Sequence, residues 1–255
     1  MKTIGVAVIT YKRPDSLLRC MDSLYSFCRE GLEIAIFDDC SKDETLDLGK
    51  SFCNVFESPL NGGVVRNKNR ALYYFTEINP KDYIIILEDD VVIVESGWAE
   101  QWVKAAELYG HINFSAPWFK DKSLVSEHLC GNGSVLEPDV YKIVTGQCTS
   151  LKASYIKETV GYLNPRFLGY GHGHVEWTNR FIANGYGGYR RDENFYYFAI
   201  GGGIEAPETV SHKTDAELER NQAIFEDIVK TQNNVFIERP WLDEKERAIF
   251  FNFEK

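Results

Sequence analysis

The chain has 255 residues, 44% of them hydrophobic and 26% charged, with a formal net charge of −10. That length suits one large domain or a domain with an extension, and the acidic balance argues against a broad phosphate-tracking surface, so nucleic acid is not an expected partner. No apolar run reaches the roughly 18 residues that span a bilayer, and the amino terminus lacks a charged start followed by an apolar signal core. None of the six cysteines, Cys20, Cys28, Cys40, Cys53, Cys130 and Cys148, forms a CxxC pair, which counts against zinc. A reduced, cytoplasmic protein is expected.

The chain opens on the apolar, β-branched run Ile4 to Ile9, a strand. Pro14 then starts a helix at a position where its missing N–H costs nothing, and Leu17, Leu18, Met21, Leu24, Tyr25 and Cys28 repeat with helical period. A second strand, Glu33 to Phe37, runs into Asp38-Asp39. Ser41 with Glu44 predicts a capping box for a short helix. A third strand covers Cys53 to Glu57, and a helix is expected from Val64 to Ile78 with Leu72 and Phe75 on its apolar side. The fourth strand, Tyr83 to Leu87, ends on Glu88-Asp89-Asp90 and is followed at once by Val91-Val92-Ile93-Val94.

Strands alternating with helices predict a doubly wound α/β fold with a mostly parallel sheet. Ligands of such sheets bind outside the carboxyl ends of the strands. The polar punctuations Thr10-Tyr11, Asp38-Asp39, Asn61-Gly62-Gly63 and Glu88-Asp89-Asp90 all fall there, so four strands deliver polar residues to one rim. Three consecutive acids beside a core need protonation, pairing or a cation. A hard divalent ion held by one or two carboxylates, its shell completed by phosphate oxygens, accounts for them, against the plainer reading of a polar turn.

After Asp90 the pattern loosens. Ser96 to Tyr109 reads as a helix with Trp98, Trp102, Ala105 and Tyr109 on one face, and residues 114 to 189 read as strands and loops. Thr214 and Glu217 cap a further helix whose apolar face is Leu218, Phe225, Ile228 and Val229. The tail carries Trp241-Leu242 and Ile249-Phe250-Phe251 and is expected to pack. Gly201-Gly202-Gly203 suits either a mobile loop or a turn.

These residues resemble a known family. Val8-Ile9-Thr10-Tyr11-Lys12-Arg13-Pro14, Phe37-Asp38-Asp39-Cys40-Ser41-Lys42-Asp43, Asn61-Gly62-Gly63 with Lys68-Asn69-Arg70-Ala71, and Leu87-Glu88-Asp89-Asp90 are similar, in order and spacing, to the motifs of family-2-like glycosyltransferases of the GT-A fold. Two positions depart from the pattern: Cys40 stands where glycine is usual, and Lys68 where arginine is usual. The resemblance implies a GT-A-type, Rossmann-like sheet with a carboxyl-terminal acceptor-side extension. Residues 1–203 would form the catalytic domain, 1–95 its nucleotide-sugar half and 96–203 its acceptor half, with 204–255 a helical extension packed on the same domain. It further implies an inverting, metal-dependent hexosyl transfer from a nucleotide-diphosphate sugar, with uridine as the base, to an acceptor hydroxyl; glycan, protein and small-molecule acceptors all stay open.

On this reading Asp38 or Asp39 accepts from a base N–H above a floor of Thr10 and Tyr11. Lys68 neutralises the diphosphate, Asn61, Gly62 and Gly63 let backbone approach it, Glu88 faces the ribose or sugar, and Arg13 and Asp89 belong to the same nucleotide-binding set. Asp90 ligates Mn2+ or Mg2+, and the resemblance implies a later histidine ligand, for which His212 is best placed. The segment Phe167 to Arg180 resembles the family's acceptor-site motif, with Gly173 and His174 over its usual Glu-Asp pair and Glu176 on the glutamate that follows. Either His174 or Glu176 is then the base. The missing Glu-Asp pair keeps a second class open, a catalytically silent nucleotide-sugar binder or assembly subunit. A sugar-phosphate nucleotidyltransferase shares the layered fold but would want a glycine-rich loop after the first strand, and Thr10 to Pro14 offers no glycine.

Overall fold

The computed structural model describes residues 2–28, 30–118, 129–207, 214–232 and 236–253. Strands β1 (Ile4–Thr10), β2 (Leu32–Asp38), β3 (Asn54–Glu57) and β4 (Tyr83–Glu88) pair in the parallel order β3-β2-β1-β4. In register, Thr10 lies beside Asp38, Ile9 beside Glu88, and Asp38 beside Glu57, so the polar ends are level. Helices α1 (Pro14–Ser26), α2 (Glu44–Lys50) and α3 (Val64–Tyr73) supply the crossovers.

Beyond β4 the sheet changes character. After β5 (Val92–Ile93) and α4 (Trp98–Tyr109) come β6 (His111–Phe114), β7 (Asp139–Tyr141) and β8 (Thr145–Lys152). Helices α5 (Ser154–Glu158) and α6 (Gly173–Ala183), strands β9 (Gly188–Arg191), β10 (Asn194–Ile200) and β11 (Ile204–Glu205), and helices α7 (Asp215–Gln232) and α8 (Glu244–Phe250) complete the described elements. β8 runs antiparallel between β4 and β6, and the sheet continues through β10 to β7, with β9 on β10. The mixed α/β fold with its parallel amino-terminal half is therefore present.

Alternation along β4 explains the two cores. Ile85 and Leu87 face a cluster with Val6, Val8, Leu17, Met21, Trp98 and Trp102, while Ile84 and Ile86 face Ala7, Phe37, Leu72, Phe75, Trp177 and Phe181. A parallel strand covered on both faces reads as a continuous apolar run, which is why Tyr83 to Leu87 has no polar interruption.

Several local expectations are corrected. The cap of α2 is Asp43, whose carboxylate accepts from Thr45 N–H at 3.0 Å. Ser41 instead accepts from the Lys12 N–H at 2.7 Å and donates its own N–H to Asp38 at 2.8 Å. The long helix leaves α geometry at Tyr74, where a π-helical turn continues to Ile78. Within 114–189 lies α6, an eleven-residue helix masked in the sequence by its glycine-rich entry. Val229 is exposed, and the buried face of α7 carries Asn221 and Ile228. The triple glycine forms a turn in which the Gly202 carbonyl accepts from the Trp102 indole at 3.0 Å. All six cysteines are free thiols. No helix among the described residues is long and apolar enough to cross a membrane.

The tail packs against α3 of the parallel half. Arg66 pairs with Glu246, Arg70 donates to the Phe250 carbonyl at 3.0 Å, and Trp241 and Phe251 meet the Tyr73 ring at 5.7 and 5.5 Å.

Candidate active site

Each acid of the Glu88-Asp89-Asp90 cluster already meets a cation of the chain. Lys68 on α3 is buried, and its ammonium donates to Glu88 Oε1 at 2.6 Å and to the Gly146 carbonyl at 2.7 Å. Asp89 turns inward, accepting from Thr10 Oγ1 at 2.8 Å and from Arg13 Nη1 at 3.0 Å. Burial, with Asp90 and Glu88 adding to it against the pull of Arg13 and Thr10, pushes the Asp89 carboxyl up to about 7. Asp90 Oδ2 accepts from Gln147 Nε2 at 3.3 Å and lies 3.9 Å from Arg13 Nη1. The acids are therefore partly compensated internally, more than the bare sequence suggests.

Would these residues suit a divalent cation? Among the described residues no three potential ligands converge. Asp90 sits at the strand terminus in a field made negative by Glu88 and Asp89, and Arg13, 38% exposed in its side chain, can swing away. One protein carboxylate with water and phosphate oxygens is the arrangement Mg2+ and similar hard ions accept, so the donor set fits. His212, the second expected ligand, lies outside the described residues.

The base-side acids divide the work. Asp39 spends both oxygens on the glycine loop, accepting from Gly62 N–H and Gly63 N–H at 2.8 Å each. It organises the loop through both of its carboxylate oxygens. Gly63 takes φ +81°, and a Cβ there would stand 3.1 Å from the Gly169 nitrogen. Asp38 is fully buried; its Oδ2 accepts from Ser41 N–H, while Oδ1 has no hydrogen-bond partner. Desolvation raises this carboxyl above its ordinary range. A buried acceptor left unspent is costly unless a ligand completes it. Cys40 adopts φ +65°, a left-handed backbone that glycine takes without penalty. Tyr11 is exposed at the rim, and Asn61 is also exposed.

His174 and Glu176, two residues apart at the start of α6, have opposite surroundings. Glu176 is fully buried and grips Arg180 twice, at 2.7 Å from Nε and 2.9 Å from Nη2. Arg180 in turn donates to the carbonyls of Val160 and Tyr162 at 2.6 Å each. Glu176 thus anchors α6 to the loop before it and shows no open face to an acceptor. His174 is only partly buried as a residue. Its Nε2 meets Asn113 Oδ1 at 2.9 Å, and its Nδ1 has no partner. A Cβ built on Gly146 would lie 3.0 Å from Lys68 Nζ, 3.4 Å from Glu88 Oε1 and 3.5 Å from His174 Cγ. Lysine, carboxylate and imidazole therefore surround one point on β8. Burial, then the Lys68 charge and His111, holds His174 well below the ordinary histidine range.

Three members of the site have no sequence signal: Gln147 on Asp90, the Gly146 carbonyl on Lys68, and Asn113 on His174. They sit on β6 and β8, whose polar residues carry no motif, and only the sheet order brings them to the end of β4. His172, with φ +62°, packs its ring 5.4 Å from Phe225 in a structural role.

Residues 5–129 match the model of glycosyl transferase family 2. No curated protein matches the chain significantly. Among solved structures, the mannosyltransferase PcManGT of Pyrobaculum calidifontis, in complex with GDP-Man and Mn2+, is similar over 72% of this chain and 53% of its own, with TM-score 0.56 and 16% identity. The S. aureus TarS 1-349 structure with UDP-GlcNAc is similar over 98% of this chain and 70% of its own, at TM-score 0.56 and 15% identity. Glucosyl-3-phosphoglycerate synthase of Mycobacterium tuberculosis, with Mn2+, UDP and glucosyl-3-phosphoglycerate, matches over 72% and 66% at TM-score 0.51 and 13% identity. At these identities the likeness is one of fold, and the chain spans only about half the length of the first of them.

Proposed function

Residues 5–129 belong to glycosyl transferase family 2, and from that premise we propose that the chain transfers a sugar from a nucleotide-diphosphate donor, a uridine-diphosphate sugar, to an acceptor hydroxyl with inversion at the anomeric carbon. The observation that carries the reading is the convergence of Lys68, Glu88 and His174 around Gly146. It supports a donor lying along the strand ends, with its nucleoside over β1 and β2 and its anomeric carbon beneath α6.

In this reading Asp38 Oδ1 accepts from the base N–H, beside the exposed Tyr11 ring. The loop at Gly62 and Gly63, shaped by Asp39, lets backbone approach the diphosphate. Lys68 releases Glu88 to a sugar hydroxyl and turns toward phosphate oxygen, and Arg13 adds a second cation. Asp90, with His212, would hold Mn2+ or Mg2+, which offsets charge on the departing diphosphate. His174 Nδ1 takes the acceptor hydroxyl proton as that oxygen bonds to the anomeric carbon, and the pair of the breaking glycosyl–oxygen bond leaves on the diphosphate. A neutral imidazole is the competent form, and the depressed basicity of His174 keeps it neutral at physiological pH. Glu176 is the scaffold beneath it.

The test is nucleotide release from a panel of UDP- and GDP-sugars with Mn2+ and mixed acceptors. Metal-dependent UDP release that Asp90→Ala abolishes is the expected result. UDP binding with no release from any mixture would leave the chain a nucleotide-sugar binder.

A further inference from the structure

We infer that Asn113 is a positioning residue that fixes the tautomer of His174, holding the proton on Nε2 and leaving Nδ1 a bare lone pair. The inference rests on the proposed base role of His174 and extends it to a residue of β6 that touches neither donor nor acceptor.

Hydrogen-bond grammar leads to one arrangement. Asn113 Nδ2 lies 3.2 Å from the Phe198 carbonyl oxygen on β10. A carbonyl only accepts, so the amide must present its NH2 to Phe198 and its oxygen to the other side. That oxygen lies 2.9 Å from His174 Nε2 and can only accept, so Nε2 must carry the hydrogen. In a neutral imidazole the other nitrogen is then unprotonated. Nδ1 is that nitrogen, and it is the ring atom with no partner in the protein.

The setting keeps the ring neutral. Lys68 from α3 and His111 from β6 oppose a positive charge on His174; Glu88 at the end of β4 favours one, but its carboxylate is already bonded to Lys68. His111 is itself buried and held between Thr178 Oγ1 at 3.2 Å and Thr149 Oγ1 at 3.4 Å. Asn113 is fully buried on a strand locked between β8 and β10, so its amide is a rigid reference. Its uncharged oxygen orients the imidazole while stabilising imidazolium less than a carboxylate in the same place would. The cost of a wrong tautomer in other histidine-dependent enzymes is large.

The experiment pairs 15N NMR of the histidine rings with pH–rate profiles for the full chain and for Asn113→Leu, Asn113→Asp and His174→Gln, the last assigning the His174 signals. The wild type is expected to show protonated Nε2 and bare Nδ1. N113L should lose that preference and lower kcat by roughly 10- to 100-fold, with KM for the donor within about twofold of wild type. N113D keeps the acceptor and the tautomer, but should move the acidic limb of the kcat/KM profile upward by about one pH unit. A proton on Nδ1 in the wild type overturns the inference. So does an N113L protein with unchanged tautomer and kcat beside an inactive H174Q, which leaves the base reading intact. A fully active H174Q overturns the base reading as well. Should N113L fail to fold, the wild-type ring signals and the N113D profile still decide.

Discussion

At the residue scale the contrast between His174 and Glu176 yields the sharpest predictions. Glu176→Ala leaves Arg180 buried and uncompensated, so a loss of about 3–5 kcal/mol is expected from urea unfolding. Activity should fall only in step with the folded fraction. His174→Ala strands the buried Asn113 amide oxygen, so a stability loss of about 1–3 kcal/mol is expected, smaller than that of Glu176→Ala, while kcat drops by roughly 10²- to 10⁴-fold. A variant pair with those effects exchanged would reverse the assignment of roles. Asp39→Ala leaves two loop N–H groups without acceptors. Its expected signature is weaker UDP binding by calorimetry together with a stability loss of about 1–3 kcal/mol.

At the scale of elements, α3 joins the donor loop to the tail. Arg70 is buried and donates to the carbonyls of Asp38, Phe56, Glu57 and Phe250 at 2.9 to 3.3 Å. One guanidinium thus closes the ends of β2 and β3 and clasps α8. Arg70→Met keeps an apolar stem but strands these acceptors, so a loss of about 3 kcal/mol or more is expected. Proteolysis should then cut first within residues 236–253, because that segment loses its anchor. Equal resistance in the variant and the wild type would show that the tail is held elsewhere. α7 plays the corresponding part on the acceptor side: Asn221 Nδ2 donates to the Leu168, Tyr170 and Gly171 carbonyls at 3.0, 2.8 and 3.3 Å.

For the whole molecule, pH acts through buried groups of opposite sign. Burial lowers His111 to about 3, against an ordinary value near 6.5. Its folded-state pKa is depressed, so the unfolded chain binds the proton first, and stability is lost as pH falls below about 6.5. Asp89, raised to about 7, works in the other direction: the folded state resists its ionisation, and stability is lost as pH rises toward 7. Comparison with His111→Gln isolates the first effect. Relative to that variant, the wild type should lose about 1.4 kcal/mol per pH unit below about 6.5, read from urea midpoints between pH 7 and 5. Parallel pH curves would mean that His111 titrates normally in the fold.

Much of the parallel amino-terminal half was legible in the sequence, because there the information is local. An apolar run buried on both faces, a Pro at a helix start and a strand ending in acids are each set by neighbours within a few residues. A parallel alternation then sends those ends to one rim. Cys40 is less legible: its left-handed backbone is one a cysteine does not announce. The surroundings of α6 were decided by tertiary structure alone. Whether His174 or Glu176 is available depends on Arg180, Asn113 and Gly146. Two of these lie at sites between 28 and 61 residues from His174 and arrive through antiparallel pairings that carry no periodic signal. A carboxylate and an imidazole two residues apart look equally basic as letters, but burial, a paired guanidinium and a fixed amide set their chemistry, and those are properties of the packed chain.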